Sequence, residues 1–193
     1  MTVSSTRCCR RPSWLAALAV LWLIAADPVP AHADGIEVRK AALTAAEESY
    51  FLDAEFDIVL THTLEDALNK GVPLYFVLEF ELIHPRWYWF NEKIASAQQQ
   101  YRLSYNALTR QYRVGVGTLY QNFGALAEAM EFLSKVRLRE VAGLGALKKE
   151  SGYVAAVRLR LDVAQLPKPF QISAVGSREW SVSSDWYRWT VTP

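Results

Sequence analysis

Apolar and polar residues alternate most clearly between Gly71 and Asn91, GVPLYFVLEFELIHPRWYWFN, where Leu74, Phe76, Leu78, Phe80 and Leu82 fall on one side of an extended chain. Tyr75, Val77, Glu79, Glu81 and Ile83 fall on the other, because successive side chains of a strand point to opposite faces. The pattern predicts a core strand with a partly wet second face. Pro73 is tolerable only at the strand's first residues. His84-Pro85-Arg86 should end or bend it, since proline cannot donate to a ladder and holds its predecessor extended.

The same period recurs on both sides of this stretch. Tyr50, Leu52, Ala54, Phe56, Ile58 and Leu60 alternate with Phe51, Asp53, Glu55, Asp57 and Val59, so this strand's second face carries three carboxylates. Ala45 to Ser49 reads as its connection from a shorter strand over Gly35 to Ala42. Ala95 to Tyr105 and Tyr112 to Val116 make two amphipathic strands joined at Asn106-Ala107-Leu108-Thr109, an antiparallel hairpin. From Tyr153 to Val163 the alternation returns, with Arg158, Arg160 and Asp162 on the wet face.

Two helices are predicted. Thr63 and Asp66 have capping-box spacing, Leu64, Ala67 and Leu68 share a face, and Gly71 is placed to stop the helix. Asn122 is placed to cap a second, in which Leu126, Ala129, Met130 and Leu133 recur at helical spacing. Val136, Leu138 and Glu140 read as a short strand before a glycine-rich loop to Gly152, and Pro167 and Pro169 flank a turn. Trp180, Trp186 and Trp189 close the chain in short extended pieces. The expected fold is mainly β (α+β): a single antiparallel β-sandwich-like domain with two short helices.

The first segment has a different character. Arg7, Arg10 and Arg11 precede the apolar run Trp14 to Ala26, followed by Asp27-Pro28-Val29-Pro30 and Ala31-His32-Ala33. A positive n-region, a short h-region and an A-x-A site describe a secretory signal peptide over residues 1–33, with cleavage expected after Ala33. The 13 apolar residues are too few to span a bilayer comfortably. Pro12 and Ser13 after the arginine pair favour general secretion over the twin-arginine route. Cys8 and Cys9 would leave with this leader, so the remaining domain of residues 34–193 would hold no disulfide and no thiolate metal site.

Those 160 residues would carry a net charge of −1 and suit one domain burying roughly 70% of its unfolded surface. Near-neutrality gives no general attraction to nucleic acid or anionic lipid, and no later apolar run reaches the length of a spanning helix. The compartment expected is periplasmic or secreted.

The segments GVPLYF (Gly71 to Phe76), RWYW (Arg86 to Trp89), RLSYNALTRQY within Tyr101 to Tyr112, and LPKPFQI (Leu166 to Ile172), with a tryptophan-rich end, resemble the DUF4390 proteins, a bacterial family of unknown function. The resemblance covers nearly the whole chain after the leader. It implies an exported bacterial protein and, through members encoded beside a sensor-kinase and response-regulator pair, a link to such a system; it brings no catalytic or binding residue.

Among candidate sites, Arg86, Trp87, Tyr88 and Trp89 stand out, because flat rings beside an arginine can stack on sugars, peptides or lipid headgroups. Aromatic side chains mostly serve buried area, so packing at a sandwich edge is the preferred reading of the same residues. Asp53, Glu55 and Asp57, with Glu79 and Glu81, could line an acidic face for a hard cation, but strands space side chains too widely for a calcium cage. Cross-strand pairing with Arg102, Arg158 and Arg160 accounts for them better. His62 and His84 lack the company a transition-metal site needs, no G-x-S-x-G occurs, and Gly115-Val116-Gly117 is explained by close backbone packing rather than by a phosphate cradle. No catalytic residue, metal or cofactor is assigned.

The function expected is an exported, non-enzymatic binding or accessory protein of the bacterial envelope, its partner an envelope protein or glycan. An envelope hydrolase using a carboxylate pair such as Glu79 and Glu81, and a purely structural β domain, are the alternatives.

Overall fold

The apolar comb of the central strand is the middle of the molecule: Leu74, Phe76, Leu78, Phe80 and Leu82 are all at most 1% exposed. The computed structural model describes residues 35–46, 49–86, 88, 91–143, 145, 147 and 152–192, all within one compact unit. Residues 1–34, which hold the expected signal peptide, and Trp87, Trp89 and Phe90 lie outside the described residues.

In chain order the elements are β1 (Gly35–Ala46), β2 (Ser49–Val59), α1 (His62–Asn69), β3 (Leu74–His84), β4 (Glu92–Asn106), β5 (Gln111–Val116), β6 (Leu119–Phe123) and α2 (Leu126–Ser134). After these come β7 (Lys135–Gly143), β8 (Tyr153–Leu161), α3 (Lys168–Ala174) and β9 (Tyr187–Val191). The strands form two wholly antiparallel sheets, one ordered β1-β2-β7 and the other β6-β5-β4-β3-β8-β9. The fold is therefore mainly β, α+β and sandwich-like. No helix among the described residues is long and apolar enough to cross a membrane.

Strand β3 occupies the middle of the larger sheet, with Phe80 opposite Ala97 of β4 on one side and Val157 of β8 on the other. Its inner comb joins Tyr101 and Leu103 of β4 and Ala155, Val157 and Leu159 of β8 in one core. Against this lie Tyr50, Leu52, Ala54 and Phe56 of β2, together with Leu64, Ala67 and Leu68 of α1 and Ala129 and Leu133 of α2. Burial of each large side chain contributes about 1.5–3 kcal/mol. The phenol of Tyr101, removed from water by the same packing, has its pKa pushed up to about 12.

Several local details depart from the sequence reading. Helix α1 is capped by Thr61, not Thr63: the Thr61 hydroxyl accepts from the Leu64 N–H at 3.3 Å and donates to the Glu179 carbonyl at 2.8 Å. Thr63 lies inside the helix and donates to the Glu179 carboxylate at 2.6 Å. Gly71, at φ +88°, leaves the helix as expected. Asn122 caps nothing; it sits in β6 and accepts from Arg113 Nε at 2.9 Å. Helix α2 begins after Ala125, and Glu128 reaches back past that residue to accept from the Gly124 N–H at 3.2 Å.

Strand β6 had no counterpart in the sequence reading, and the turn expected around Pro167 and Pro169 is the start of α3, a third helix beside the two expected. Both prolines fall at its N-terminal end, where a missing N–H breaks no helical hydrogen bond. Gly115 is crowded, though by a side chain rather than by backbone: a Cβ there would lie 2.7 Å from the Tyr120 ring.

Two expectations follow. Leu78→Ala, at the centre of the comb, should lower unfolding free energy by about 2–5 kcal/mol in denaturant titration. Thr61→Val should cost about 1–2 kcal/mol while Thr63→Val, at an exposed position, stays within about 0.5 kcal/mol of the parent by thermal unfolding.

Candidate functional site

The outer face of β3 carries the most enclosed acid of the described residues. Glu79 is 7% exposed and stands between Gln98 of β4 and Arg158 of β8 in the sheet register. Arg158 Nε donates to Glu79 Oε2 at 2.5 Å, and Arg160 donates to Oε1 through Nε at 3.2 Å and Nη2 at 3.1 Å. Gln98 Nε2 approaches Oε1 at 3.5 Å. Burial alone would push this carboxyl upward, but the hydrogen bonds and charges of Arg158 and Arg160 outweigh it and hold the pKa below the usual range.

Beside this cluster lies an open groove of about 400 Å³. Glu81 and Lys93 pair at 2.5 Å toward one end, Ser96 and Gln98 line the β4 side, and Arg158 and Trp186 the β8 side. The Arg158 guanidinium sits 4.6 Å from the centre of the Trp186 ring, a cation–π contact. Trp186 reaches this place because the segment before β9 is tied to β8. Leu161 N–H donates to the Val182 carbonyl at 2.8 Å, Leu159 N–H to Ser184 Oγ at 3.0 Å, and Ser184 N–H to the Leu159 carbonyl at 2.8 Å.

The acidic residues of β2 belong elsewhere. They project from the outer face of the smaller sheet, whereas Glu79 and Glu81 project from the larger one, so the five carboxylates share no face. Asp57 accepts from Arg39 Nη2 at 2.6 Å and Asp53 from Arg137 Nε at 2.6 Å, while Glu55 stands opposite Lys40 and Lys135. Arg39 can reach Asp57 because it is the extra residue of a β-bulge between Val38 and Lys40. Cross-strand pairing of the kind expected therefore holds. Arg158 and Arg160 serve Glu79 as anticipated, whereas Arg102 lies 5.7 Å from the Tyr75 ring centre instead.

Of the residues singled out as a contact surface, Arg86 pairs with Glu92 across the base of the β3–β4 connection, and Tyr88 is 71% exposed. Trp87 and Trp89 lie outside the described residues. His62 stands 3.7 Å from Asp66, one turn along α1, and the His84 ring bonds the Gly152 carbonyl at 3.1 Å and packs on Tyr153. Among the described residues no three His, Cys, Asp or Glu side chains converge as metal ligands. Sequence reasoning missed Lys93, Gln98 and above all Trp186, whose place is set by hydrogen bonds to a strand that precedes it by more than twenty residues.

The geometry defines a mainly antiparallel, sandwich-like domain with a polar groove on its larger sheet. The chain belongs to the DUF4390 family, a domain of unknown function, whose model matches residues 33–190. No curated protein and no solved structure matches it.

The clamp on Glu79 has a measurable signature. A carboxyl whose folded pKa lies below its unfolded value adds stability above the unfolded pKa and loses it as pH falls through the folded one. Glu79→Gln should cost about 2 kcal/mol at pH 7, a figure reduced because both arginines are about one-third exposed. In thermal melts across a pH series, the gap to the parent should close as pH drops below the ordinary carboxylate range.

Proposed function

We propose that this chain is an exported, non-enzymatic binding or accessory protein of the bacterial envelope. The observation that carries the non-enzymatic part is the state of Glu79. Carboxylate hydrolases need a general acid that keeps its proton near neutral pH. Glu79 has both oxygens committed to arginine and its pKa held down, and Glu81 is engaged by Lys93 Nζ. Glu79 is thus arranged to hold charge and shape, and Glu81 is tied to Lys93.

Export is supported by the basic n-region, the apolar run to Ala26 and the Ala31-His32-Ala33 site. A contact role is supported by the exposed Tyr88 beside Arg86 and by the groove on the same sheet, both fit to meet a second molecule of the envelope.

Cells producing the chain with a C-terminal tag should release, on osmotic shock, a product whose mass corresponds to a start at residue 34. Full-length protein confined to the cytosol or the membrane pellet would exclude the export reading. Turnover of chromogenic glycosides or esters that Glu79→Gln or Glu81→Gln abolishes would exclude the non-enzymatic one.

A further inference from the structure

We infer that the groove beside Glu79 is a binding site for a short, uncharged, hydroxyl-rich glycan segment, with Trp186 as the stacking platform and Glu81, Lys93, Ser96 and Gln98 as the polar rim. The inference deepens the binding role proposed above and rests on it. A pyranose ring presents an apolar C–H face and a rim of hydroxyls that both donate and accept. A complementary site must therefore offer a flat aromatic surface at one wall and several short polar groups around it.

The groove meets these demands with few residues. Trp186 is half-buried and fixed by the Arg158 guanidinium at 4.6 Å, so its indole is already oriented and loses little freedom on binding. Across from it, Gln98 offers a planar amide with two donors and an acceptor, and Ser96 a hydroxyl. Glu81 and Lys93, paired at 2.5 Å, present acceptors and donors side by side. The volume, about 400 Å³, lies at the small end of the range of roughly 300–1,000 Å³ for small-molecule sites, which suits one or two sugar rings.

The lining also argues against other ligand classes. Glu79 and Glu81 are engaged by Arg158, Arg160 and Lys93, and Asp162 lies 3.9 Å from Arg160, so the charges around the groove are paired with one another rather than turned to a phosphate or a polyamine. Phe80 and Ala97 also line it, but the remaining side chains beside Trp186 are polar or charged, which disfavours an acyl chain. Because Glu79 is saturated by Arg158 and Arg160, it fixes the floor and leaves the recognition to the rim.

The test is titration of the protein as recovered from producing cells with maltotriose, cellotriose and chitotriose, by calorimetry and saturation-transfer NMR. At least one should bind saturably, with Trp186→Ala weakening it about tenfold or more, Trp186→Phe staying within about threefold of the parent, and Gln98→Ala losing about threefold to tenfold. Thermal melts check that each variant is folded; if Trp186→Ala is not, Gln98→Ala and Trp186→Phe carry the comparison. The inference is overturned if none of the three sugars binds, if Trp186→Ala and Gln98→Ala bind as the parent does, or if random-sequence peptides, and not sugars, compete for the groove. Release of new reducing ends would overturn the non-enzymatic reading while leaving the glycan site standing; failure to bind without turnover removes the site alone.

Discussion

The register of β3 between β4 and β8 is the constraint on which the rest depends. Strand side chains repeat every two residues, so a slip of one would drive Glu79 and Glu81 into the core and bring the leucines out to water. The inner face opposes such a slip through five side chains that are almost wholly enclosed. The outer face opposes it through a carboxylate that finds two arginines on β8 only when Glu79 stands opposite Arg158. Apolar burial supplies most of the energy, and the ionic cluster makes alternative pairings costly because an unpaired enclosed acid is expensive.

From that register the groove follows. Once Arg158 is committed to Glu79, its guanidinium lies flat enough to meet Trp186, and the hydrogen bonds from β8 to Val182 and Ser184 bring the indole there. The polar rim comes from β4, aligned by pairing of Glu79 with Gln98 and of Glu81 with Ser96. One strand thus aligns both walls, and the segment between Trp180 and β9, held to β8, adds Trp186 to one of them.

What the amino-acid order reveals follows the strength of local pattern. Strands β2, β3 and β8 each bury one apolar face and place polar or charged side chains among the residues of the other, so their alternation is plain to read even where, as at Glu79, the second face is covered too. Strand β6, Leu119–Phe123, lies at the edge of the larger sheet with almost every side chain exposed, so no alternation marks it. Helix α3 is concealed by prolines that read as breakers although the first helical turn accommodates them. At α1 and α2 the buried faces were legible while the caps were not: Thr61 and Thr63 both bond Glu179, more than a hundred residues away, and only Thr61 has the extended backbone from which its hydroxyl accepts from the Leu64 N–H. The pairing of Glu79 with arginines was readable as a type of interaction, but the meeting of Trp186 with Arg158 depends on tertiary hydrogen bonds that leave no local trace.

The order in which β3 acquires its neighbours also bears on how the chain reaches its final shape. Its hairpin with β4 closes over a short distance, but β8 arrives only in the last quarter of the sequence, and the smaller sheet likewise waits for β7. Pairings this remote must overcome a large loop-closure entropy and form slowly. Until synthesis has passed Leu161 the central strand keeps one raw hydrogen-bonding edge, a state that favours helpers which hold chains open over early collapse. The larger sheet is thus closed from its late side: β8 covers the open edge of β3, and β9 then pairs with β8.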